Sequence, residues 1–232
     1  MSSKDNSNKK TKTKKRRRNP FRFVLFDLLK WSRALSVLLW LRPKKMYESK
    51  AAKKPIRGGA VLVSNHTNIF DPIIMLCAFW YRHVHTIAMK ELFNKKFPRW
   101  FFRNMLCIPV DRQNFNMNTY RAAVDVLLDK KPLCIFPEGG INLDETSINA
   151  FKSGAVFMAL KGNAPIVPVY IAPRKKWYSR AIIVVGEPID LNALCGGKMD
   201  LRKIDEVANT LREKEMKLME VYNTWKTKKS SK

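Results

Sequence analysis

Short runs of β-branched and other apolar residues recur along this chain, each followed by a stretch of helical character, and that alternation constrains it to an α/β fold. Residues 60–64 (Ala-Val-Leu-Val-Ser) form a continuous apolar run that stops at polar turn formers, the pattern of a strand covered on both faces. Residues 71–82 then read as a helix, with Asp71 as its cap and Pro72 at its first position. Strands are predicted over 84–89, 107–110, 133–136, 165–171 and 181–185, and helices over 119–128, 148–160 and 201–225. Residues 91–105 mix aromatics with cations, which suits either a second membrane contact or a buried helix with a wet edge. Residues 42–58 read as a Pro/Lys linker. No internal repeat or second seam is visible, so the 232 residues suit one sizeable α/β domain.

The formal net charge of +26 predicts an anionic partner: nucleic acid, an anionic membrane surface or a phosphorylated substrate. The charge is uneven. Residues 1–19 are polar and strongly basic without apolar periodicity, which predicts a disordered arm. It does not read as a secretory signal, because no small-residue cleavage site follows the apolar part. Residues 20–44 are the strongest membrane signal, rich in Phe, Leu, Val and Trp but interrupted by Arg22, Asp27, Lys30 and Arg33. A span needs roughly 20 mostly apolar residues, and the clean run 34–41 is far shorter. Arg22, Lys30 and Arg33 fall on roughly one helical side, so an interfacial helix or helical hairpin with Trp31 and Trp40 at headgroup level fits better. A soluble amphipathic helix packed on the domain is the alternative. The four scattered cysteines, Cys77, Cys107, Cys134 and Cys195, show no metal-ligand spacing and read as reduced thiols.

Chemistry concentrates where the first strand meets its helix, at Ser64-Asn65-His66-Thr67-Asn68-Ile69-Phe70-Asp71-Pro72. On one continuous helix His66 and Asp71 would point about 140° apart. With a turn between them, the carboxylate can hold one imidazole nitrogen and leave the other as a base. The bland alternative is a capping aspartate beside a satisfied strand-end histidine. No GxSxG-like elbow supplies a nucleophile, so covalent acyl-enzyme chemistry is not indicated. His83 and His85 lack a third ligand for zinc. Arg112, at a strand end, could bind phosphate as a planar fork or be a surface cation. Glu138, Gly139 and Gly140 form either a close-approach ligand turn or a plain turn. Lys152 is either a second phosphate ligand or a solvated residue.

Asn65-His66-x-x-x-x-Asp71 resembles the NHxxxxD signature of the glycerolipid acyltransferases related to 1-acylglycerol-3-phosphate acyltransferase. Three further blocks follow in that family's order: residues 107–112 (Cys-Ile-Pro-Val-Asp-Arg), 136–139 (Phe-Pro-Glu-Gly) and 166–170 (Ile-Val-Pro-Val-Tyr). The resemblance covers about residues 45–190 and implies a mixed sheet flanked by helices, with residues 45–232 as the acyltransferase domain. It implies His66 as general base and Asp71 as its orienter, and Arg112, Glu138, Gly139, Gly140 and Lys152 as substrate-binding residues. The donor would be acyl-CoA or acyl carrier protein and the acceptor a lysophospholipid, most simply 1-acylglycerol-3-phosphate giving phosphatidate. No metal or redox cofactor would be needed, and the enzyme would sit peripherally on the cytoplasmic face of the cell membrane. Two residues depart from the pattern. Ile141 stands where an arginine is usual, which leaves glycerol 3-phosphate, other lysophospholipids and ornithine-type lipids open as acceptors. Leu106 stands where glycine is usual. A non-enzymatic membrane-binding module or a nucleic-acid-binding protein are the competing classes. Against the latter, the cations cluster in the terminal arms and no nucleic-acid-binding motif is present.

Overall fold

In the computed structural model the described residues are 43–111, 117–174, 179–191 and 200–231. They fall within the second of two compact units, Leu38–Lys232. The basic arm expected over 1–19 and the membrane-associating segment expected over 20–44, as far as residue 42, lie outside them. So does Arg112.

The described strands form one seven-stranded mixed sheet. They are β1 (Lys44–Tyr47), β2 (Ala60–Ser64), β3 (His85–Met89), β4 (Cys107–Val110), β5 (Pro132–Ile135), β6 (Ile166–Ile171) and β7 (Ile182–Val185). Their order is β1-β7-β6-β2-β5-β3-β4, and every neighbouring pair is parallel except β6 and β7. That exception has a simple cause. A parallel return needs a crossover of about a dozen residues or more, and the connection from Ile171 to Ile182 is shorter. Strands β2, β5 and β6 are buried throughout, as their continuous apolar runs require.

The helices are α1 (Asp71–Ala78), α2 (Lys96–Asn104), α3 (Met117–Leu128), α4 (Gly154–Lys161) and α5 (Leu201–Ser230), with a 3₁₀ turn at Lys90–Phe93. α5 lays an apolar stripe of Ile204, Val207, Ala208, Leu211, Leu218 and Tyr222 on the core, at the spacing of one helical face. At the amino ends of the central strands, Arg82 donates to the carbonyls of Ile56 (2.6 Å), Gly58 (2.7 Å) and Lys130 (2.7 Å). This planar fork ties β2 and β5 together opposite the end that carries the His66 turn.

Several expectations need correction. The linker expected over 42–58 contains β1, an edge strand whose Lys-Lys-Met-Tyr sequence carries no apolar run because it pairs only with β7. Lys45 stacks its ammonium over the rings of Phe79 and Tyr81 at 4.9 and 5.0 Å. α1 ends at Ala78 rather than residue 82, and its N-cap is Phe70, so Asp71 is the first helical residue and not the cap. The helix expected from residue 148 begins at Gly154. Residues 148–152 instead form neither helix nor strand, because their backbone has partners outside a helix: the Ile148 carbonyl accepts from Arg212 Nε at 2.7 Å and Lys152 N donates to the Pro137 carbonyl at 3.0 Å. The C-terminal helix runs five residues past 225, to Ser230.

Leu106 adopts φ +57°, a left-handed conformation that costs a residue with a Cβ about 1–2 kcal/mol. Glycine has no such penalty, although it gains more unfolded-state freedom. Leu106→Gly is therefore expected to be neutral or stabilising by up to about 1 kcal/mol, read as a rise of up to about 2–4 °C in thermal midpoint. A marked fall in midpoint would show that the side chain's packing outweighs its strain.

Candidate active site

The residues of interest gather at the carboxyl ends of β2, β5 and β6, the edge at which open parallel sheets bind ligands. The ladder between β2 and β6 reaches Ser64 paired with Val169. Asn65 then continues it with its side chain: Oδ1 accepts from Ile171 N at 2.7 Å and Nδ2 donates to the Ile171 carbonyl at 3.0 Å. The carboxamide thus replaces a strand residue, and the Asn65 backbone is released to turn away from the sheet.

Four successive backbone amides in that turn donate to carboxyl oxygens. Asn65 N donates to Glu215 Oε1 at 2.6 Å and His66 N to Glu138 Oε1 at 3.0 Å. Thr67 N and Asn68 N donate to Asp71 Oδ2 at 2.8 and 2.7 Å. His66 O accepts from Asn142 N at 2.7 Å, so the histidine is fixed on both sides of its Cα.

Asp71 Oδ2 also lies 3.0 Å from His66 Nδ1. A carboxylate oxygen only accepts, so this bond places the ring proton on Nδ1 and leaves the Nε2 lone pair available. The ring stacks on Phe136, with centroids 4.4 Å apart and planes 28° off parallel. Asp71 is almost fully buried, whereas 12% of the His66 side chain is exposed. The carboxylate is sheltered and the imidazole is reachable, which is the arrangement a general base requires.

The other expected site residues are placed as follows. Both oxygens of Glu138 are engaged by backbone amides, Oε1 by His66 and Oε2 by Asn149 at 3.0 Å. It is a strut between two loops. Gly139 has φ +74°, and a Cβ there would lie 2.8 Å from Lys152 Nζ. The lysine therefore reaches across the bare backbone of this turn, and the glycine supplies both the left-handed conformation and the room. A Cβ on Gly140 would meet nothing within 4 Å, so that side of the turn is open. Ile141 is 46% exposed and brings no charge. His83 and His85 are remote from a ligand set, and no group of three or more His, Cys, Asp or Glu among the described residues could hold a metal ion.

Three participants were not visible as such in the sequence. Phe136 packs the imidazole. Arg174, just beyond β6, lies within electrostatic reach of Asp71; burial lowers its guanidinium pKa and the carboxylate opposes that. Glu215 comes from the middle of α5. Its signal in the sequence is a carboxyl group interrupting an apolar stripe: Leu211, Glu215, Leu218 and Tyr222 lie on one helical face.

A protein-family model described as Acyltransferase matches residues 45–172. A 1-acyl-sn-glycerol-3-phosphate acyltransferase of Bacillus subtilis (strain 168) is 30% identical over 162 residues, covering 67% of this chain and 79% of that protein. One from Streptococcus pneumoniae (strain ATCC BAA-255 / R6) is 29% identical over 171 residues, covering 71% of this chain and 62% of that protein, so the chain spans less than two thirds of that relative. Among solved structures, the 1-acyl-sn-glycerophosphate (LPA) acyltransferase PlsC of Thermotoga maritima superposes with a TM-score of 0.58 at 20% identity, covering 87% of this chain and 80% of that one. At that identity the likeness concerns the fold.

Proposed function

Since the chain belongs to the 1-acylglycerol-3-phosphate acyltransferase-like family of glycerolipid acyltransferases, we propose that it transfers a fatty acyl group from acyl-CoA or acyl carrier protein to the hydroxyl of a lysophospholipid at a membrane surface. The preferred acceptor is 1-acylglycerol-3-phosphate, giving phosphatidate. The carrying observation is the single oxygen of Asp71 that takes His66 Nδ1 and the amides of Thr67 and Asn68 together.

In this reading His66 Nε2 accepts the proton of the acceptor hydroxyl as the oxygen attacks the thioester carbonyl carbon. The tetrahedral intermediate collapses with cleavage of the C–S bond, and the proton on Nε2 passes to the departing thiolate. Asp71 keeps the ring in the productive tautomer throughout. Lys152, lying across the Gly139 turn, offers a cation to a phosphate on donor or acceptor, and Arg112 is assigned the same role by its place in the second block.

For the membrane surface, α2 is suggestive: it carries Lys96, Arg99 and Arg103 and leaves Trp100 and Phe101 47% and 36% exposed. A basic helix with outward aromatics suits an anionic interface. No described helix is long and apolar enough to cross a membrane.

The test is a matrix of acyl-CoA and acyl carrier protein donors against 1-acylglycerol-3-phosphate, glycerol 3-phosphate, other lysophospholipids and lyso-ornithine lipid, with products resolved by mass. The expected result is phosphatidate from 1-acylglycerol-3-phosphate. Transfer only to another acceptor would overturn the acceptor assignment, and no transfer in any cell would overturn the reaction.

A further inference from the structure

We propose that Glu215 of the C-terminal helix, in its neutral form, is a positioning residue for acyl transfer: its Oε1 holds the Asn65 amide and so fixes where β2 releases His66. The inference rests on His66 being the base.

The geometry is specific. Glu215 is fully buried and 150 residues away in sequence from the amide it accepts, at 2.6 Å. The Asn65 amide is turned out of the sheet to Glu215, and only the Asn65 side chain bonds Ile171. Without Glu215 this N–H would be buried beside the catalytic residue with no acceptor, a costly state for a backbone donor. Glu215 also reaches the turn one residue before His66, whose own amide is taken by Glu138. The two carboxyl groups therefore hold the successive peptide N–H groups on either side of the Asn65 Cα.

The surroundings favour the neutral acid. Oε2 is buried and has no hydrogen-bond partner among the described residues. Among the described residues, the titratable groups that interact electrostatically with Glu215 are Cys134 from β5, Tyr170 from β6 and Glu138 from the loop after β5, none of them cationic. Burial pushes the Glu215 carboxyl well above its ordinary value, the Asn65 amide opposes this, and the Glu138 charge adds to it. An apolar stripe interrupted by an uncharged acceptor is what the position calls for.

The sign of the pH dependence follows. In the unfolded chain Glu215 loses its proton near the ordinary 4.5, whereas the folded protein retains it above that value. The folded state then binds more protons, so this residue's contribution makes stability fall as pH rises above that range. Glutamine keeps the acceptor oxygen without the ionisation.

The experiment compares full-length Glu215→Gln and Glu215→Leu with the parent protein. Three readouts are used: kcat and KM for acyl transfer, thermal midpoint from pH 5 to pH 8 (about the range in which proteins are most stable), and hydrogen exchange of the Asn65 amide. Glu215→Gln is expected to keep kcat within about twofold, keep Asn65 protected, and gain midpoint over the parent progressively as pH rises. Glu215→Leu, folded by circular dichroism, is expected to lose about tenfold or more in kcat with KM little changed, and to lose protection at Asn65. Full kcat in Glu215→Leu, or equal damage in both variants, would overturn the proposal. If the parent protein catalyses no transfer, the function reading fails instead. The exchange and midpoint readouts still decide whether neutral Glu215 holds the turn, and an unprotected Asn65 amide in the parent would overturn that too.

Discussion

His66→Ala is expected to lower the rate of acyl transfer by a factor of about 10³, within the range that a positioned general base supplies, while leaving the fold in place. The second half of that expectation comes from how the residue is held. Its backbone N–H and carbonyl are bonded to Glu138 and Asn142, and neither bond involves the imidazole. The ring's own contacts are one hydrogen bond to Asp71 and one face on Phe136. Alanine therefore removes the base without removing the turn.

Asp71 differs. Asp71→Ala also removes, from a side chain that is 1% exposed, the acceptor shared by the amides of half-buried Thr67 and exposed Asn68, so it is expected to cost about 1 kcal/mol, water being able to take the Asn68 amide. Asp71→Asn can still accept those amides and the Nδ1–H through its carbonyl but lacks the negative charge that stabilises the imidazolium formed when Nε2 takes a proton, so it should lose rate with little stability. Initial rates and thermal midpoints on the three variants separate these outcomes. Retention of more than about one tenth of the activity in His66→Ala would refute the assigned base, since even a weak general base is worth about 10².

Gly59→Ala is expected to cost stability on the scale of an overpacked core, about 1–3 kcal/mol and a fall of about 2–12 °C in midpoint. The added Cβ would lie 2.4 Å from the Leu127 carbonyl oxygen and 3.2 Å from its carbon. Both sides of that contact are backbone: Gly59 precedes the central strand β2, and Leu127 lies in the last turn of α3. No side chain can rotate away, so strand and helix must separate. Gly154→Ala is the control, because a Cβ there meets nothing within 4 Å. If the two glycine variants unfold together, the close approach of α3 to β2 is not limiting.

The sequence made the inner strands legible because burial on both faces writes itself as uninterrupted apolar residues. β2, β5 and β6 carry that pattern and β1 does not, since an edge strand with lysines needs only backbone pairing with β7. Residues 148–152 look helical in the sequence for a related reason. Ile148 and Phe151 are buried, but as anchors of a loop whose backbone bonds Pro137, Glu138 and Arg212. Periodicity registers burial and is blind to where the hydrogen bonds go. The same division holds in the site. His66 and Asp71 are five apart across one turn, so local reasoning could pair them, whereas the partner of Asn65 lies far along the chain in α5.

The 150-residue separation between Asn65 and Glu215 also bears on when the protein becomes competent. A ribosome makes the histidine turn well before α5. Until α5 has emerged and docked, one amide beside His66 lacks its acceptor and β6 lacks the helix that packs on it. Chains that stop before Leu201 would carry every one of the recognisable sequence blocks and still have an unfinished turn. Contacts this long-range also slow folding, because loop closure must precede the reward for it. Assembly of the histidine turn is thereby tied to the synthesis and docking of α5.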